Sequence, residues 1–448
     1  MKRLIQLSVF LSFFVEALLY TLSVSGNDTF SENNESSYTI TVNGESVAVN
    51  RYKDISYAQF IFFCTAEIKI KVQGDIEDYK ISPASYHIES VHGEREISFR
   101  LDEPRKLVLD IKGFEKLFIF AEPQGQDRVL KQVEGEVVNI MDFGVDNSGT
   151  RAVTGEINRV IEKTSAAGGG VVYFPAGVYL TGNIFLKNNV TLYMEQGARI
   201  QGSRNPADYE VLTREQGDRY GSIAGLITIR DVHHAGIAGY GVIDADGMYL
   251  RTGSGLNGIT QTIAVSNSSN IEIRDVILRD SRAWTVHIIY SDSVRINNIK
   301  IINDLANLNT DGINPDASTN VIIENMFAYC SDDNIAIKST GRFDMIRDVR
   351  NIVVRNSVFY TIKSSLKLGT ESRNNLFSDI LFENIDIISA DRAFTFYLRD
   401  GADYENVTFR DIRVEHISEI QRPGYKARLI DMIISERGVL GTIEHVLF

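Results

Sequence analysis

The chain has 448 residues, with 46 basic side chains against 59 acidic ones and a formal net charge of −13. Hydrophobic residues at 44% and charged residues at 23% suit a folded protein and exclude extended disorder. The acidic balance argues against a general nucleic-acid binder, which needs a basic surface, and seven prolines against 34 glycines exclude a collagen-like chain.

In chain order, Lys2 and Arg3 followed by the apolar run Leu4 to Val15, with small residues at Ser23, Ser25 and Gly26, predict an export signal over residues 1–25. A secreted or periplasmic location is expected. No later run approaches the ~20 apolar residues that span a bilayer. Cys64 and Cys330 lie too far apart in sequence, and are too few, for a disulfide framework or a four-ligand zinc site. Both are expected as small buried side chains.

From Tyr38 to about Glu122 the pattern has period two. Ile40 and Val42, then Asn43-Gly44, then Val47 and Val49 predict a hairpin with a two-residue turn. Ile68, Ile70 and Val72 alternate with lysines; Ile97, Phe99 and Leu101, then Leu107, Leu109 and Ile111, then Leu117 and Ile119 continue the pattern. Short alternating strands without a helical period predict a small β-sandwich over residues 36–123, with a polar linker over 123–136.

After Asn139 the texture changes. Glu156 to Ser165 is helical, ended by Gly168-Gly169-Gly170. A phrase of one polar residue and then apolar residues two apart begins at Asn189 and returns at Asn270, Ser293, Asn320, Asn351, Asp379 and Asn406. From Asn270 onward the intervals are 23, 27, 31, 28 and 27 residues. A constant short strand at irregular intervals predicts an all-β, right-handed, single-stranded parallel β-helix over residues 137–448, because strands stack every ~4.8 Å while the turns face solvent and lengthen freely. Thr442 to Phe448 opens one more copy, so the last coil is either a bare cap or cut short. His233 and His234 lack ligand partners at metal spacing and are expected as turn residues.

Two acidic clusters stand about one coil apart: Asn309-Thr310-Asp311-Gly312 and Ser331-Asp332-Asp333-Asn334, at 21 and 22 residues from Asp311. Stacking predicts that Asp311, Asp332 and Asp333 gather on one outer patch. Carboxylates that close compel one to take up a proton or the group to hold a cation. A shared proton is what glycosidic hydrolysis requires, with one acid for the leaving oxygen and one or two carboxylates for water.

Together these motifs resemble glycoside hydrolase family 28, the polygalacturonases. Met141-Asp142-Phe143-Gly144-Val145, the stretch Gly168 to Gly182 and Gly239-Tyr240-Gly241-Val242-Ile243-Asp244 are similar to the opening of that family's β-helix, and the two acidic clusters match its first catalytic motifs, over roughly residues 139 to 415. The resemblance implies Asp332 as general acid and Asp311 and Asp333 as the residues that hold and deprotonate water. It implies inversion, with opposed carboxyls ~6.5–9.5 Å apart, and neither a metal nor an organic cofactor. The family's Gly-His-Gly motif is replaced by the stretch Lys363 to Thr370, and its Arg-Ile-Lys motif by Thr395 to Asp400. Both losses fall on the substrate side.

Asn309, Lys338, Lys367, Glu371 and Arg399 are candidates to rebuild that side, and Trp284 and Tyr397 to stack on a sugar ring. The expected partner is a polysaccharide or oligosaccharide, pectin or another uronate-bearing glycan first, with no nucleic acid, no membrane span and a monomeric state. Family 49, the dextranases and isopullulanases, is the alternative: its members also place an Asp and an Asp-Asp pair on a right-handed β-helix behind a β-sandwich, which points to an α-glucan. A non-catalytic glycan-binding β-helix and a calcium-dependent lyase complete the alternatives. Long insertions at Ala207–Ser222 and Tyr249–Gln261 would wall off one cleft end and favour exo action.

Overall fold

The structure is a computed structural model that describes residues 35–123, 136–209, 224–252, 261–342, 345–373, 375–418, 426–434 and 440–448. The expected export signal and most of the two long insertions lie outside the described residues.

Ten strands between Tyr38 and Pro123 make two five-stranded sheets. In Ala66–Val72 every apolar residue is buried and Glu67, Lys69 and Lys71 are exposed, so one face of the strand closes the core. The hairpin forms where expected: Val42 pairs with Glu45 across Asn43 and Gly44, whose φ values of 51° and 87° match the twist of the flanking strands. Val49 does not extend that hairpin. It opens Val49–Tyr52, which pairs with Ile55–Phe62 in the other sheet, since one strand must change sheets to close the sandwich. Ile55–Phe62 carries no clean alternation because apolar residues bury on both of its faces. Cys330 is buried, but Cys64 is exposed: it occupies a left-handed turn position (φ 61°) after that strand, outside the core.

From Glu136 the chain winds as a right-handed parallel β-helix. Ile271, Val294, Val321, Ile352, Ile380 and Val407 stand in register on successive coils, so the uneven intervals are absorbed entirely in turns. The polar residue that opens each copy has a backbone cause. Asn270, Ser293, Asn320, Asn351, Asp379 and Asn406 have φ between 54° and 56°, a region that short polar side chains tolerate. Five residues later a second left-handed position recurs; at Asp275, Asn298 and Asn325 it separates two strands, and at Asn356, Asn384 and Asp411 it lies within one long strand. Amides of neighbouring coils are bonded, as in Asn351 Nδ2 donating to Asn320 Oδ1 at 2.9 Å. The helix Thr154–Ala166 buries Ile157, Val160 and Ile161 on the first coils, a stripe at helical spacing. Among the described residues no helix is long and apolar enough to cross a membrane.

The sandwich does not stand free of the β-helix. Tyr57, Phe118 and Phe120 pack on Ile302, Phe327 and Tyr329 in one buried cluster, with Phe118 at 5.0 Å from both Phe327 and Tyr329. Beside it the fully buried Lys300 pairs with Glu122. Leu117 and Ile119, on the other face of the same strand, fill the sandwich core.

Candidate active site

A nine-stranded parallel sheet runs along one side of the β-helix, and the acidic motifs lie just before two of its strands, Ile313–Asp316 and Ile335–Ser339. Ile313 pairs with Ile335, a step of 22 that also separates Asp311 from Asp333, so these two stack on adjacent coils. Gly312 permits the contact: a Cβ there would lie 2.4 Å from the Asn334 carbonyl oxygen, and Gly312 N–H donates to the Asp333 carbonyl at 2.8 Å. Asn334 pins the turn by donating to the carbonyls of Ala328 and Tyr360.

The structure brings the three aspartates together: one oxygen of each lies within 4.8 Å of the others. That closest approach is shorter than the ~6.5–9.5 Å expected between opposed carboxyls. Two of the residues are chain neighbours and the third is one coil away, which leaves no room for more. They line a pocket of about 380 Å³ with Trp284, Asn309, Lys338, Lys367 and Glu371. The patch is not an exposed one as expected: Asp311 and Asp333 are each 2% exposed on the pocket floor, and Asp332 alone is half-buried.

Two lysines hold the floor. Lys367 Nζ donates to Asp333 Oδ2 at 2.7 Å. Lys338 Nζ lies 3.2 Å from Glu371 Oε2 and 3.7 Å from Asp311 Oδ2, and 4.5 Å from the Trp284 ring centroid. Asn314 Nδ2 donates to Asp311 Oδ2 at 2.7 Å. The buried Asp333 Oδ1 accepts no hydrogen bond among the described residues.

These surroundings separate the carboxyls. Burial, and then the charges of Asp332 and Asp333 against the opposing pull of Lys338, push Asp311 well above the ordinary carboxylate range. Burial and the charge of Asp333 raise Asp332 to about 6. At Asp333 burial is outweighed by Lys367 and Lys338, so its carboxyl lies below the ordinary range. Glu371 is held near 2 by Lys338 in spite of burial. The trio can thus carry a transferable proton and an ionised base side by side. The same three oxygens could hold a cation, though two ammonium groups already face them.

Of the other candidates, Arg399 stays outside this lining; its guanidinium rests 5.5 Å from the Tyr397 ring. Tyr397 is buried and its hydroxyl donates to Asp431 Oδ2 at 2.7 Å, so it is no open sugar platform. Where the histidine motif is missing, Lys367 pairs with Ala336 on the preceding strand and places its ammonium on Asp333. Sequence reasoning missed Arg342, a buried lining residue 5.8 Å from the Trp284 ring; it lies beyond the end of the strand Ile335–Ser339, past the left-handed Gly341, where strand periodicity gives no signal. It also missed His287. This fully buried ring sits edge-on to Trp284 at 5.0 Å and is bonded to Asp316 Oδ2 at 2.9 Å. His233 opens a strand and His234 has a left-handed backbone; both are exposed.

The sequence model of glycosyl hydrolases family 28 matches residues 174–421, and that of rhamnogalacturonase A/epimerase, pectate lyase-like, matches residues 137–204. A probable polygalacturonase of Vitis vinifera is 30% identical over 234 residues, 47% of this chain and 48% of that protein. The chain spans about half the length of the first curated relatives it matches. In fold it is similar to the family 28 exopolygalacturonase of Yersinia enterocolitica (17% identity, TM-score 0.54, 85% of this chain and 84% of that one). It is similar likewise to Dex49A from Penicillium minioluteum (12% identity, TM-score 0.55, 89% and 85%). Both likenesses cover more of the chain than the β-helix alone supplies, so the front sandwich does not separate one family from the other.

Proposed function

The chain belongs to glycosyl hydrolases family 28, and from that premise we propose that it hydrolyses O-glycosyl bonds of a uronate-bearing glycan with three aspartates as its acid and base. The observation that carries this reading is the trio of carboxylate oxygens within 4.8 Å, in which Asp332 is raised and Asp333 is lowered. Asp332, on the open side, gives its proton to the leaving oxygen as the bond to the anomeric carbon breaks. Asp333, held ionised by Lys367, takes a proton from the water that attacks that carbon. Asp311, raised by burial, holds the water by hydrogen bonding rather than taking its proton. A water ~2.8 Å from each of two carboxylate oxygens spans ~5 Å, which suits a water held between Asp311 and Asp333; single displacement with inversion rests on the family resemblance, not on this spacing.

On the substrate side, Lys338 and Arg342 flank the half-buried Trp284 ring, and Lys367 lies one coil further along. An apolar ring face beside cations suits a sugar that carries a carboxylate. The polygalacturonases among the relatives support the same class. A polymeric substrate fits an exported protein, and the stretch expected as a signal over residues 1–25 supports that location.

The test is incubation of the parent chain and of Asp332→Asn with polygalacturonate and a panel of α-glucans. Loss of released reducing ends by ~10²–10⁴-fold in the variant is expected, with the product anomer read by NMR at early times. Equal activity in both removes the acid assignment. Binding without any cleavage by the parent makes the protein a glycan binder, and ultraviolet-absorbing unsaturated ends make it a lyase.

A further inference from the structure

On a different face of the β-helix, the sandwich and the solenoid leave a trough of about 1050 Å³ between them. Its floor includes Asn298, Asn325, Asn356 and Asn384, left-handed residues of successive coils stacked ~4.8 Å apart. Asn298, Asn325 and Asn384 donate within the protein, whereas the exposed Asn356 only accepts, from Asn384, and keeps its Nδ2 free among the described residues. One wall is Tyr86, with the Arg105 guanidinium 4.1 Å over its ring. In a chain of net charge −13 the lining carries more cations than carboxylates. Most of those cations are satisfied: Arg413 clamps Asp386 at 2.6 and 2.8 Å, and Arg274 lies 3.2 Å from Asp275.

Lys106 is the exception. It stands opposite Phe120 on the sandwich strand that faces the β-helix, half-buried, and among the described residues its ammonium makes no hydrogen bond or ion pair. The nearby Glu122 is already taken, by Lys300 and by Asn298 at 2.7 Å. Burial lowers Lys106 to about 8 despite the charge of Glu122, a cost that a ligand anion at this position would offset.

We propose that this trough is a second glycan site that binds an acidic oligosaccharide, with Lys106 on a sugar carboxylate and the Asn356 amide on a hydroxyl. The choice of a uronate ligand rests on the hydrolase reading; the site rests on the trough and its unpaired cation. A polymer held there is kept near the cleft while cleavage proceeds elsewhere along it.

The experiment titrates pentagalacturonate into the Asp332→Asn protein by calorimetry, so that the probe stays intact. Two sites are expected. Lys106→Met weakens one of them at least tenfold without lowering the melting temperature, since no native pair is lost, and Asn356→Gly, compatible with the left-handed backbone, weakens the same site. With Asp332 intact, Lys106→Met cleaves a short oligomer at the parent rate. No binding, or a one-site isotherm that Lys106→Met leaves unchanged, overturns the proposal. Two sites with this lysine dependence and no cleavage by the parent chain sustain the trough and remove the hydrolase reading instead.

Discussion

Lys367 Nζ stands 2.7 Å from Asp333 Oδ2, and both side chains are buried. That contact, with the charge of Lys338, holds Asp333 below the ordinary carboxylate range, because without a cation burial would drive it upward as it drives Asp311. In the proposed mechanism Lys367 therefore acts through Asp333, in addition to its proposed place on the substrate side.

Replacing it tests this directly. Lys367→Met removes the charge that favours ionised Asp333, so that carboxyl takes its proton at higher pH. The acid limb of kcat/KM is expected to move up by ~1–3 pH units. An acid limb that stays in place while KM rises would restrict Lys367 to substrate binding.

Asp332, raised to about 6, must be protonated to donate, so activity is expected to fall as pH rises through about 6. The same shift has a stability sign. The folded pKa lies above the ordinary carboxylate value, so the contribution is fully present below about 4 and is lost as pH rises through about 6. Asp332→Asn cannot ionise, and its advantage in stability over the parent should widen between pH 4 and pH 7, to on the order of 2 kcal/mol. Denaturant midpoints at both pH values measure it; a constant difference would mean that Asp332 is not buried as a charge.

Phe118 touches Phe327 and Tyr329 across the joint between sandwich and β-helix. Phe118→Ala should cost about 3–5 kcal/mol, as large aromatic truncations in cores do. One cooperative unfolding transition would then split or shift as a whole. A change below ~1 kcal/mol would show that the two parts hold together by other contacts.

The three aspartate oxygens could hold a divalent cation, while Lys338 and Lys367 supply positive charge to the same place. Chelation with EDTA is expected to leave hydrolysis unchanged, and added calcium to leave it unstimulated. A rate that collapses on chelation and returns with calcium would replace the acid–base reading with metal chemistry.

The stacked strands were legible because their causes are local. Alternating apolar residues choose a face, and Asn or Asp supplies each left-handed turn, so Asn320 and Asn351 announce their coils before any contact is known. The Asp311–Asp333 encounter was legible for the same reason, since one coil of spacing is a count along one stretch of chain. Ile55–Phe62 was not, because its second apolar face is explained only by a β-helix more than two hundred residues away.

Residue types and spacing thus determined a parallel solenoid, a front sandwich and a gathering of three acids by themselves. Folding in three dimensions decided which carboxyls are pushed up and which is pulled down, that Lys367 rather than Arg399 reaches the floor, and that the sandwich closes a trough against the coils. Those outcomes depend on burial and on Coulomb interactions between segments distant in the chain, and such distances are set only when the packed surfaces meet.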